Sequence, residues 1–390
     1  MNYKSNTING SFLSLIILLL VSVNFAKGSS VPRPDHVVIC ILENHSYSQI
    51  IGSSAAPYIN SLLPVAANMQ EFYALTHPSQ PNYIMLFSGN NQGETSDNLP
   101  AGTPWTTPNL GASILMTGYT FAAYSEDLPT TGSTVASSGA YARKHCPWVN
   151  WQGNGPNQIP ASCNLSMDQF PTNYAHLPDL SFVIPNQNND MHNGSDPGRI
   201  TTGDSWVENF MKPYIDWAQL NNSLFILVFD EDNFTSTNRI VCLFVGAQVE
   251  PGDYAVNGYN HYDLLRTLEE MFTLPHSGNS INATPITEIW RTSTSISETN
   301  VRYALNTVVY PNPVNSDSKI EIDNETASSP EKVSLFIYDI TGRIKNETDL
   351  LLMPGRNVFA FRREGLPSGV YTYRVKNNMR ILSAGKVIVE

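Results

Sequence analysis

Apolar residues fall in two textures along this chain. In the first two-thirds, unbroken apolar runs of strand length at 36–42 and 224–229 alternate with stretches at 58–67, 206–220 and 262–272 whose apolar positions recur at helical spacing. Continuous apolar character fits strands buried on both faces of a sheet. Shorter runs at 118–124, 180–184 and 240–245 predict further strands. Strands alternating with helices predict an α/β fold, a parallel or mixed sheet covered by helices. Beyond residue 308 the pattern changes to short β-rich runs at 332–338, 357–361, 369–375 and 386–389, separated by Asn, Gly and Pro turns. That spacing predicts a small all-β sandwich. A Thr-, Ser- and Asn-rich stretch lies between the two textures. The expected division is therefore a first unit at 29–285, a linker at 286–306 and a β unit at 307–390.

Composition adds three constraints. A length of 390 residues allows two or three domains. A formal charge of −12 with only 14% charged residues excludes a nucleic-acid-binding scaffold, because no basic surface is available to neutralise phosphates. Residues 1–28 read as a removable export signal, with Lys4 ahead of an apolar core at 12–23 and small residues at Ala26 and Gly28. The apolar core is shorter than the roughly 20 residues a membrane span needs. Of four cysteines, Cys40 and Cys242 lie in apolar runs and read as buried small hydrophobes, whereas Cys146 and Cys163 flank a Trp-, Pro- and Gly-rich loop. In an exported chain that pair is expected to form a disulfide, worth about 3 kcal/mol by loop entropy.

Chemistry collects at the ends of the two longest apolar runs. The first ends in Glu43-Asn44 and the second in Asp230-Glu231. Ligands gather beyond the carboxyl ends of strands in open α/β sheets, and this hard, oxygen-rich set suits one divalent ion: Mg²⁺, Ca²⁺, Mn²⁺ or Zn²⁺. Between them stands Thr-His-Pro-Ser-Gln-Pro-Asn-Tyr at 76–83. Two prolines would hold Ser79 on a stiff, sharply turned loop, as a nucleophile requires. Taken alone, the octapeptide also reads as a proline-rich connection with a capping Ser and a buried His77. His77, His192 and His261 sit in polar loops and can serve jointly as phosphate-oxygen donors or as a general acid. His45 and His145 can approach such a pocket without acting in it, and His36 and His276 read as structural or surface residues. The long loops at 90–107 and 132–163 are expected to be lids or decoration.

Six segments in order, CILENHSYSQIIG, THPSQPNYIMLFSG, YARKHCPW, NDMHNG followed by GDSWV, LVFDED and NHYDLLRTLEEMF, resemble the phosphoesterase family of bacterial and fungal acid phosphatases and phospholipase C-type enzymes. The resemblance covers roughly 34–274. It implies an alkaline-phosphatase-like fold, one metal ion bound by Glu43, Asn44, Asp230 and Glu231, and Ser79 as both nucleophile and metal ligand. It also implies phosphate-binding or proton-transfer roles for His77, His192 and His261, and a small phosphate ester as substrate. Cys146, where many relatives carry Asn, and Asp232-Asn233 depart from the pattern at the pocket rim. The segments VVYPNPV, LFIYDITGRI and LPSGVYTYRV resemble the C-terminal sorting domain of the type IX secretion system over roughly 307–390. That implies export by signal peptide and then by the type IX machinery, ending in a secreted or surface-attached protein. The expected activity is phosphate monoester hydrolysis through a phosphoserine. A phosphodiesterase or phospholipase C activity, and a non-catalytic surface binding protein, are the alternatives. A sulfatase is disfavoured, because Ser79-Gln80-Pro81 is followed by Asn82 where that chemistry has Arg.

Overall fold

The computed structural model describes residues 31–255, 258–291, 305–324, 329–340, 343–363, 365–377 and 381–389. The expected export signal, and residues 292–304 of the expected linker, lie outside them. The first unit is built on an eight-stranded mixed sheet. Its order is Gly252–Tyr254, Ala67–Met69, Cys242–Gly246, Ser223–Phe229, His36–Leu42, Leu180–Ile184, Phe121–Ser125 and Asn164–Ser166. Cys242–Gly246 runs antiparallel to both its neighbours, and the other pairs are parallel. All seven residues of Ser223–Phe229 are buried, as are Val37 to Leu42 in the adjacent strand. Their continuous apolar sequence reflects a central position with both faces covered.

Helices form where the 3.6-residue pattern predicts them, with prolines setting the exceptions. The expected helix at 58–67 stops at Ser61 and gives way to a 3-10 turn, Leu63–Val65, around Pro64. A proline cannot continue the i to i−4 ladder, and it disfavours helical backbone in the residue before it. The expected helix at 206–220 is the later part of a longer helical path. It runs through Gly198–Trp206, a π turn at Val207–Met211 and Lys212–Leu220. The widened turn lies just ahead of Pro213, which has no N–H to give a regular ladder.

The first hydrophobic core continues past the expected boundary at 285. Ile286, Ile289 and Trp290 are buried in it, and Glu250 N donates to Ile289 O at 2.8 Å. Residues 286–291 are thus part of the first unit, because their apolar side chains have a core to enter. A second, separate core spans Leu305 to Val389. It lies between a three-stranded sheet, ordered Asn306–Tyr310, Lys319–Asn324, Gly355–Ala360, and a four-stranded sheet, ordered Ile344–Leu352, Glu331–Tyr338, Gly369–Lys376, Ile381–Val389. This is the expected small all-β unit.

Candidate active site

The two central strands pair in parallel register with Leu42 opposite Phe229. The next residues, Glu43 and Asp230, therefore leave the sheet side by side. On the other flank of the first strand, Glu43 N donates to Asp190 O at 2.8 Å, so a third acid follows from the strand Leu180–Ile184. Asn44 turns the chain at φ 57°, a left-handed conformation that Asn tolerates better than most residues. In that conformation its backbone N–H donates to Asp230 Oδ1 at 3.0 Å and its Nδ2 to Glu43 Oε2 at 2.7 Å.

Ser79 is not on a loop, as the prolines led us to expect. It is the first residue of the helix Ser79–Ser88, all ten residues of which are buried. Pro81 fits there because the first helical turn has no ladder bond to lose. The Ser79 hydroxyl is 3.1 Å from Glu43 Oε2 and 3.2 Å from Glu231 Oε1, and can give its one proton to either. Tyr83, one turn along, donates its hydroxyl to Glu43 Oε1 at 2.6 Å. The far end of the helix is fixed at Gly89, whose φ is +70° and where a Cβ would stand 2.0 Å from Ser277 O.

The histidines divide by what they touch. His77 Nδ1 is 2.8 Å from Glu231 Oε2 and its Nε2 is 3.3 Å from Thr235 O, with its ring stacked on Phe234. Both nitrogens are engaged, Nδ1 by Glu231 and Nε2 by the Thr235 carbonyl. His261 is buried at the start of the helix His261–Phe272, and its Nε2 lies 2.7 Å from Asp230 O. A carbonyl only accepts, so Nε2 carries the proton. Burial pulls His261 down to about 4, which keeps it neutral and unsuited to giving a proton near neutral pH. His192 is partly exposed, with Nδ1 3.1 Å from Asn193 Oδ1 and Nε2 3.4 Å from Lys144 Nζ.

Four neighbours were not assigned roles from the sequence: Tyr83, Lys144, His145 and Asp190. His145 is buried with Nε2 3.1 Å from Glu43 Oε1 and Nδ1 3.4 Å from Asp190 Oδ2, and it stacks on Tyr83. Burial pulls it down to about 4, against the opposing field of Glu43. Lys144 donates to Asp97 Oδ2 at 2.8 Å. Burial works to lower its pKa, but Glu43, Asp97 and Asp230 together hold it above the ordinary lysine value. Lys144-His145 lies in YARKHCPW and Asp190 in NDMHNG, so these motifs were the available signal. What they touch depends on sheet register and on the 3-10 turn Arg143–His145.

Cys146 and Cys163 are both free, buried thiols. Cys146 lies against the Ser125 hydroxyl at 3.2 Å, at the end of the strand Phe121–Ser125, and Cys163 closes a separate 3-10 turn, Ala161–Cys163. The expected disulfide is therefore not formed.

The acids fit a cation. Burial raises Asp230 well above the ordinary carboxylate range, with Glu43 and Glu231 adding to the effect, and burial also raises Glu231. Asp230 Oδ2 is buried without a hydrogen-bond partner. Like charges gathered in low dielectric around a hydroxyl form the donor set that a hard divalent ion relieves. Among the described residues, ligand atoms of Glu43, His145 and Asp190 also lie within 4.8 Å of one another, a spacing that can hold a metal ion. That group shares Glu43 with the expected set.

Residues 53–275 match the Phosphoesterase family, and residues 308–390 match the secretion system C-terminal sorting domain. The first match begins after Glu43 and Asn44, so those two rest on geometry. The chain is 46% identical over 264 residues to a phosphatidylinositol-3-phosphatase of Mycobacterium tuberculosis, covering 67% of this chain and 85% of that one. It is 27% identical over 297 residues to an acid phosphatase of Aspergillus fumigatus, covering 70% of this chain and 63% of that one. A solved structure in the alkaline phosphatase superfamily from Vibrio parahaemolyticus aligns with 11% identity and a TM-score of 0.47, covering 87% of this chain and 83% of that one. That last likeness is too distant to bear on the chemistry.

Proposed function

Because the chain belongs to the phosphoesterase family, we propose that it is an exported, metal-dependent phosphatase that hydrolyses phosphate monoesters through a phosphoserine at Ser79. One observation carries this reading: the Ser79 hydroxyl, at the start of a buried helix, stands between the carboxylates of Glu43 and Glu231. A serine placed only to cap a helix needs no acids around it. Glu43, Asn44, Ser79, Asp230 and Glu231 would hold one divalent ion. Asn44 would use its amide oxygen, since its Nδ2 is given to Glu43. When bound, the ion supplies positive charge that lowers the pKa of the hydroxyl and offsets charge growing on the phosphoryl oxygens.

The protein's own groups do the rest. Ser79 Oγ attacks phosphorus in line with the leaving alcohol, and its proton has Glu43 Oε2 and Glu231 Oε1 within reach. His77 holds Glu231 and His261 the carbonyl of Asp230, so the proton for the leaving oxygen is assigned to His192 in its protonated form, the one histidine of the three whose ring holds none of the acids or their backbone. The same His192 then takes a proton from the water that hydrolyses the phosphoserine. The name of the mycobacterial relative makes an inositol lipid 3-phosphate, itself a monoester, the first natural substrate class to assay. The sorting-domain match supports export through the type IX route.

Acid quenching during turnover of a ³²P-labelled monoester, with divalent ion present, should trap label on Ser79. Ser79→Ala should trap none and lose at least about 10³-fold in kcat, in the range seen when a nucleophile is removed, while its melting temperature holds. A Ser79→Ala variant that turns over near the wild-type rate would show that water attacks directly.

A further inference from the structure

The site contains one lysine with no part in the chemistry derived above. We infer that Lys144 selects phosphate monoesters over diesters, its ammonium binding a non-bridging phosphoryl oxygen beside Ser79. This rests on the phosphatase reading and sharpens it to a substrate class.

The geometry supports a ligand role over a tether. Lys144 Nζ is held between Asp97 Oδ2 at 2.8 Å and His192 Nε2 at 3.4 Å, and the next residue, His145, touches Glu43. The other oxygen of Asp97 accepts from the backbone N–H of Gln80 at 3.0 Å, which places the ammonium one carboxylate away from the residue that follows Ser79. The loop that carries Asp97 does not need the lysine to hold it, because Gln80 Nε2 already donates to Ser96 O and Asn98 O.

Neighbouring cations are committed elsewhere. Arg143 gives its guanidinium to Thr134 O and Asn150 Oδ1, and Arg199 gives its own to Asp196 and to His192 O. An ammonium has three donors, and the firm acceptor at Lys144 is the one carboxylate of Asp97. A monoester dianion offers three non-bridging oxygens carrying two charges. A diester replaces one of these oxygens with a second ester and keeps one charge. A fixed lysine at that position therefore favours the monoester through charge, and through the hydrogen bond that the diester cannot accept there as an anion.

The test compares kcat/KM for p-nitrophenyl phosphate and bis(p-nitrophenyl) phosphate, and the inhibition constant of inorganic phosphate, in the full-length metal-loaded protein. The wild type should prefer the monoester. Lys144→Met should lower the monoester value about 100-fold, alter the diester value less than about threefold and weaken phosphate inhibition at least about tenfold, as loss of one charge-assisted contact predicts. Lys144→Arg should keep most of the preference, and Lys144→Gln serves the same comparison if Met disturbs the fold. A purely structural lysine would slow both esters alike. That outcome or an unchanged ratio overturns this inference and leaves the phosphatase reading intact, whereas a wild type that prefers the diester overturns both. A wild type silent on both esters overturns that reading and this inference with it.

Discussion

At the scale of single residues, the candidate site was legible where chemistry sits at the end of a strand. Glu43 and Asp230 were readable because each follows an apolar run, and Ser79 because its octapeptide is unusual for a connection. The roles of His77 and His261 were not readable, since a histidine's contacts depend on which neighbour its two nitrogens meet after folding. Lys144 and His145 were present in a motif without a physical reason to single them out. Away from the site, Glu269 shows how a residue's environment becomes a property of the protein. It is buried, accepts from Ser277 N at 2.7 Å and Ser280 Oγ at 2.5 Å, and burial raises it to about 7. A carboxyl raised from its unfolded value of 4.5 favours the folded state fully below that value. The contribution is lost as pH rises through about 7, a change of about 3 kcal/mol. Glu269→Gln can keep both hydrogen bonds without a charge. Urea unfolding at pH 4.5 and pH 8 should show the variant gaining on the wild type by about that amount between the two, and an identical pH dependence would refute the assignment.

At the scale of elements, the strands were readable and the helix starts were not. Apolar runs mark a central strand because every side chain is buried, whereas the prolines around Ser79 fit a turn and the first turn of a helix equally well. The helix Ser79–Ser88 decided the matter through its long-range packing, which includes the helix His261–Phe272. Its C-terminal end is the sensitive point. Gly89 has a left-handed backbone and no room for a Cβ against Ser277 O. Gly89→Ala should therefore destabilise the protein by about 2 kcal/mol or more, combining unfavourable φ with a backbone clash. It should also lower kcat, because the clash bears on the helix that aims Ser79. Chemical denaturation and steady-state rates on one preparation check both effects. Wild-type stability in that variant would mean that the segment carrying Ser277 yields freely.

At the scale of the whole molecule, two cores share no buried apolar residue, and the candidate site draws all its named groups from the first. The change from helical to alternating pattern made this division legible. The position of the boundary was not, because Ile286, Ile289 and Trp290 sit in a polar-looking stretch and are buried only by partners remote in sequence. A chain ended after residue 304 should accordingly keep full phosphatase activity and its own melting transition, measured on purified protein. A large loss of turnover would tie the β unit to catalysis. The pairing of Leu42 with Phe229 carries a further consequence. Asn44 and Asp230, joined by one hydrogen bond in the folded protein, lie 186 positions apart along the chain. No shorter fragment can assemble the acids around the serine, so catalytic competence is a late product of chain closure.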